Sequence, residues 1–166
     1  MKRTKLLASA FALTLTAALF APPPAIAEDS DCWDYKDGDR RLARSINRLR
    51  VRNGLRAVSL DPELSRVARK HTKEMIAARM RSHTPARVLG RRVTRWEVLG
   101  ENVGTAPTLK SLIREMRSPG EQRDNLLFRR FRHLGLAIKW AHKQVWGTVV
   151  LEARLDPGTR LDMPDC

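Results

Sequence analysis

From His133 to Trp140 the residues alternate in character, with Leu134, Leu136, Ile138 and Trp140 on one side. After Ala141-His142-Lys143-Gln144 the chain returns as Val145 to Ala153. Period-two alternation on both sides of a short polar stretch is the mark of a β-hairpin with one face against a core. Two strands alone are not a stable sheet. A third strand is therefore needed from elsewhere in the chain. The upstream pattern is mainly helical, so the hairpin implies an α+β layered domain.

Leu42, Ile46 and Leu49 fall on one face of a helix expected over 39–53, and Asn53-Gly54 is a good stop for it. Arg41, Arg44, Arg48 and Arg52 form a stripe on another face. An extended piece over 55–60 follows. Asp61-Pro62-Glu63 then opens a second helix with an N-cap acid, a proline at N1 and a carboxylate that suits the helix dipole. That helix buries Leu64, Val67, Ala68, His71 and Met75 and fades near Met80. His71, on an apolar face, reads as a core histidine with satisfied ring nitrogens; His133 and His142, flanking the hairpin, read as surface residues. Residues 84–99 read as irregular, with a short strand over Val98 to Val103. Thr108 caps a third helix, Leu109 to Arg117, whose apolar face is Leu109, Leu112, Ile113 and Met116; Ser118-Pro119-Gly120 ends it.

The first residues read as a secretory signal peptide. Lys2, Arg3 and Lys5 precede an apolar run from Leu6 to Phe20, three prolines follow, and Ala25-Ile26-Ala27 places small residues at the −3 and −1 positions of a cleavage site. The run is shorter than the roughly 20 apolar residues that span a bilayer. Cys32 lies beyond the expected cut rather than at it, which argues against a lipid anchor. The expected organisation is a signal peptide over 1–27, an acidic arm over 28–38, one domain over 39–153 and a tail over 154–166. The mature 139 residues are enough for one ordinary core. Cys32 and Cys166, the only cysteines, read first as a disulfide in a secreted chain, with intermolecular pairing as the alternative. Such a bond closes nearly the whole mature chain and is worth roughly 4–5 kcal/mol in the chain-entropy model.

Three strings also belong together: Ser82-His83-Thr84, Gly100-Glu101-Asn102-Val103, and the ten residues from Ser118 to Leu127 that include Pro119, Glu121-Gln122-Arg123 and Asn125. Their order and spacing resemble the CAP superfamily (cysteine-rich secretory proteins, antigen 5, pathogenesis-related 1; the SCP domain) in its compact bacterial form. Ile46-Asn47-Arg48-Leu49, Leu60-Asp61-Pro62-Glu63-Leu64, Leu134-Gly135-Leu136-Ala137 and the Trp146 strand fit the same family. The resemblance implies a three-layer α-β-α sandwich, a small antiparallel sheet flanked by helices. It also implies a central cleft in which two histidines and two glutamates can hold a divalent metal such as zinc, a ligand set suited to that ion. His83 and Glu101 match one histidine and one glutamate, with Asn102 beside them. The second histidine is missing: the string has one added residue, and Gln122 stands where the imidazole is expected, with Glu121 next to it. Glu115 is the best candidate for the second glutamate. The expected site is therefore degenerate, with His83 and Glu101 either a residual, weak zinc site or a pair that braces the loops.

No nucleophile elbow, His-Glu-x-x-His or phosphate-binding glycine loop supplies another catalytic set. The mature chain carries 29 basic against 18 acidic residues, a formal charge of +11. The acids crowd both ends, and arginine supplies 24 of the 32 basic residues. Arg91, Arg92, Arg129, Arg130 and Arg132 are the densest clusters. Guanidinium forks suit phosphate and carboxylate, so anionic envelope polymers or lipids are candidate partners, without a motif for specific nucleic-acid binding. The reading is a secreted, monomeric, non-enzymatic binding protein acting outside the cell or at its envelope. The alternatives are a metal-dependent hydrolase using His83 and Glu101 and a cationic binder of anionic polymers or lipids.

Overall fold

The structure, a computed structural model, describes residues 33–153. The expected signal peptide, the Cys32–Cys166 pair and the tail over 154–166 lie outside the described residues. Nine elements follow in order: α1 (Asp37–Arg52), β1 (Ser59–Leu60), α2 (Pro62–Ala78), α3 (Ala86–Arg92), β2 (Val98–Ala106), α4 (Leu109–Arg117), α5 (Glu121–Leu126), β3 (His133–Ala141) and β4 (Gln144–Ala153). The hairpin is formed as expected, with Ala141 opposite Gln144 and His133 opposite Glu152. Its two turn residues, His142 and Lys143, both take positive φ, 50° and 61°, the backbone that matches the twist of a two-residue hairpin.

The sheet runs β1-β3-β4-β2. β3–β4 and β4–β2 are antiparallel. The expected antiparallel sheet gains one parallel edge, because β1 pairs β3 through Ser59 and Leu60. Asn47 pins that edge: its side-chain amide donates to Val58 O and accepts from Val58 N, each at 2.9 Å.

Helices cover both faces, giving the three-layer sandwich. On one face Leu42, Ile46 and Leu49 of α1, Leu112 and Met116 of α4, and Leu126 of α5 pack with Leu134, Leu136, Val149 and Leu151. On the other, Leu64, Val67 and Ala68 of α2 and Leu89 of α3 meet Ala137 and Val150. Gly135 permits the close approach of α2, since a Cβ there would stand 2.1 Å from the Leu64 carbonyl carbon.

Three expectations are corrected. The stretch over 84–99 is not all irregular: Ala86–Arg92 forms α3, which has too few apolar residues to show a period and is held by Leu89 against α2. His133 is not at the surface but only 1% exposed, because β1 pairs it on one side and β4 on the other. Trp140 continues the alternation but is 65% exposed. The first turn of α1 meets β3 at Ile138, where Asp39 Oδ1 accepts from Ile138 N at 2.9 Å.

Arg50 ties α1 to α5 and to the loop before β3 from within. It is 0% exposed and donates only to carbonyls: Nε to Arg56 O (2.9 Å), Nη1 to Leu126 O (2.6 Å) and Phe128 O (3.1 Å), and Nη2 to Phe131 O (3.3 Å). Burial, reinforced by the charge of Arg132, brings its pKa down to about 10. The group caps the C-terminal end of α5, where carbonyl dipoles favour a cation. Replacing it with methionine keeps the stem but strips these carbonyls of their donors. We expect Arg50→Met to lose at least about 3 kcal/mol in urea unfolding; a loss under about 1 kcal/mol would show that the guanidinium is not the tie.

Candidate functional site

The segment Ser82-His83-Thr84 leaves the end of α2, and β2 carries Glu101 up to meet it. Successive side chains of a strand point to opposite faces, and β2 uses both. Glu101 faces α2 and the 82–84 segment, whereas Asn102 faces α5.

Glu101 is a buried carboxylate, its side chain 4% exposed. Its Oε1 accepts from Thr84 N at 2.7 Å and lies 3.1 Å from His83 Nδ1; its Oε2 accepts from Thr84 Oγ1 at 2.7 Å. A buried charge needs such partners. His83 is 61% exposed. The carboxylate at Nδ1 orients the ring and leaves Nε2 on the open side. That nitrogen can accept a proton or meet a ligand.

His71 lies behind this pair and is buried. Its Nε2 donates to Ser82 O at 2.7 Å and stands 3.9 Å from Glu101 Oε1, while Nδ1 is 3.2 Å from Glu74 Oε2. Arg92 of α3 grips Glu74 with two bonds of 3.0 and 2.7 Å. Arg92, Glu74, His71 and the 82–84 backbone thus form a chain of contacts from α3 to Glu101. The Arg92 hydrogen bond, against the opposing effect of burial and with help from His71, holds the Glu74 carboxyl below its ordinary 4.5. The helical pattern marked His71 as a core residue. Its link to Glu101 had no local signal, because the partners come from three separate elements.

The other site candidates are not brought to His83. Glu115 pairs with Arg81 at 2.9 Å. Glu121 is exposed in the first turn of α5. Gln122 offers its backbone carbonyl to Asn102 Nδ2 at 2.8 Å, and its amide oxygen is buried without a hydrogen-bond partner. Asn125 Nδ2 donates to Asn102 Oδ1 at 2.6 Å and to Glu101 O at 3.3 Å, tying α5 to β2. Gly100 allows this seating, since a Cβ there would lie 2.7 Å from Asn125 Oδ1.

Among the described residues no group of three or more His, Cys, Asp or Glu side chains converges to hold a metal ion. The donor set does not fit zinc: His71 Nε2 already donates to a carbonyl, and both Glu101 oxygens are engaged. The arginine clusters are also partly spent. Arg92 is bound to Glu74, Arg130 pairs with Glu97 at 2.6 Å, and Arg132 donates to Arg129 O and Phe131 O, while Arg91 and Arg129 are exposed.

The sequence profile of CAP, the cysteine-rich secretory protein family, matches residues 43–144. The chain belongs to the CAP family. Among solved structures it is similar to an outer surface protein of Borrelia burgdorferi, with 16% identity and a TM-score of 0.66, covering 74% of this chain and 97% of that one. It is also similar to an extracellular SCP-domain protein of Bacillus anthracis, at 25% identity and TM-score 0.57, covering 69% of this chain and 40% of that one. A cysteine-rich secretory protein of Staphylococcus aureus aligns at 16% identity and TM-score 0.56, with coverage of 69% and 38%. A comparison with curated proteins gave no match.

Two outcomes test the bracing network of this CAP domain. Thr84→Val removes the donor to Glu101 Oε2 and should cost about 1–3 kcal/mol in chemical unfolding. Arg92→Gln should release Glu74. Because the folded carboxyl pKa lies below its unfolded value, the stability Arg92 provides is full above the unfolded pKa and fades as pH falls through the folded one. The gap between wild type and Arg92→Gln, small because Glu74 is 42% exposed, should be open at about pH 6 and close in acid. A gap that widens in acid would overturn this account.

Proposed function

We propose that this CAP protein is secreted and acts outside the cell or at its envelope by binding, with a His/Glu cleft that has lost its chemistry. The observation carrying this reading is the state of Glu101. Both carboxylate oxygens are taken up by Thr84 and His83, and the position expected to bring the second imidazole is Gln122. A buried carboxylate held this way braces the junction of α2 and β2. The N-terminal signal pattern and the extracellular or outer-surface description of similar structures support the location. The excess of cationic side chains supports an anionic partner, polymer or lipid.

Calorimetric titration of the purified mature protein with zinc tests the reading. We expect no saturable heat at tens of micromolar zinc and identical traces for wild type and His83→Ala. Stoichiometric zinc binding abolished by His83→Ala would overturn it in favour of the metal-dependent hydrolase.

A further inference from the structure

The arginine stripe noted on the first helix does not face a neutral neighbour. Arg41, Arg44 and Arg48 stand at i, i+3 and i+7 on α1, and Lys110 and Arg117 stand seven apart on α4. All five line one groove of about 370 Å³ between the two helices. None of the groove's lining residues is acidic. Among the described residues, no ion pair involves Arg41, Arg44, Arg48 or Lys110, in contrast to Arg81, Arg92 and Arg130, each of which has a carboxylate partner.

Arg117 adds a second, independent feature. Its Nη1 donates to Ser45 Oγ at 3.1 Å, which fixes the guanidinium against α1. Its Nε is buried and has no hydrogen-bond partner. A buried donor without an acceptor is costly to leave unmade, and like charges three and four residues apart on a helix repel. A concave row of cations with an unmet donor focuses its field on whatever enters. An anion with several acceptor oxygens relieves the repulsion along this row.

We propose that the α1–α4 groove binds a polyvalent phosphate: a narrow chain bearing two or more phosphate groups. Guanidinium forks match phosphate oxygens in bidentate fashion, which a compact carboxylate cluster or a lone monovalent anion uses less fully. Arg41 and Arg48 lie about 10 Å apart along α1, a span for more than one phosphate. The cations line a concavity, which admits a chain more readily than the flat headgroup plane of a bilayer. This proposal rests on the reading of the protein as a binding protein and gives its partner a chemistry. Its test does not involve the His83 cleft, so a positive zinc titration would overturn the functional reading without touching this one.

The probe is sodium tripolyphosphate, titrated calorimetrically into the mature protein at low salt and again at physiological salt, with phosphatidylcholine vesicles containing phosphatidylglycerol as a parallel arm. We expect saturable, salt-sensitive tripolyphosphate binding. The double variant Arg44→Glu/Arg48→Glu should weaken it at least about tenfold. The control Arg91→Glu/Arg129→Glu, with the same change in net charge, should weaken it less than about threefold. No saturable binding, or equal losses in the two double variants, would overturn the groove. Binding to the anionic vesicles without binding to tripolyphosphate would overturn it in favour of a membrane surface. Should the α1 pair impair folding, as judged by circular dichroism, Lys110→Glu on the exposed first turn of α4 reads the same loss.

Discussion

A fully buried guanidinium holds this fold together. Arg50 leaves α1 and reaches carbonyls after α1, at the end of α5 and in the loop before β3. Its hydrogen bonds go to backbone carbonyls, so oriented backbone dipoles offset its desolvation. That choice has structural consequences. A side-chain ion pair would tie two residues, whereas carbonyl acceptors tie three stretches of backbone. α5, only six residues long, could not hold its place by propensity alone. Seated by Arg50, it presents Asn125 and the Gln122 carbonyl to Asn102 and so registers β2 against the α1–α4 layer.

β2 then divides the work. On one face Asn102 joins α5; on the other Glu101 joins the 82–84 segment and stands near His71. The site is thus a by-product of the same strand that links the layers, and its charged groups are satisfied by short, local bonds. Such a carboxylate stabilises the junction but has little capacity left for a metal or a reacting group. The exposed face of His83 is what remains open to solvent.

Arginine carries three separate roles. Arg50 is buried on carbonyls. Arg81, Arg92 and Arg130 each hold a carboxylate. Those along α1 and α4 keep their charge in a groove. Sequence density was a poor guide to this partition: Arg91-Arg92 and Arg129-Arg130 looked like the anion sites, yet half of those four are paired. The cationic concavity is assembled from residues spaced at helical intervals and separated by some 60 positions in the chain, which no local window can join.

Much was legible beforehand because its cause is local. Capping at Asp61 and Thr108, the stop at Asn53-Gly54 and the alternation of the hairpin depend on neighbours within a few residues, and α4 formed over the expected span. The motif strings carried the family. What was missed lacked local cause: α3 is too short to show a period, and His133 is buried between β1 and β4. By itself the sequence determined the three longer helices, the hairpin, the layered class and the loss of one histidine. Only the tertiary structure decided that both Glu101 oxygens are hydrogen-bonded, that Arg50 is the internal tie and that five cations of α1 and α4 share a groove. Each of these depends on which backbone and charges lie within a few ångströms across the chain, and that is set by packing.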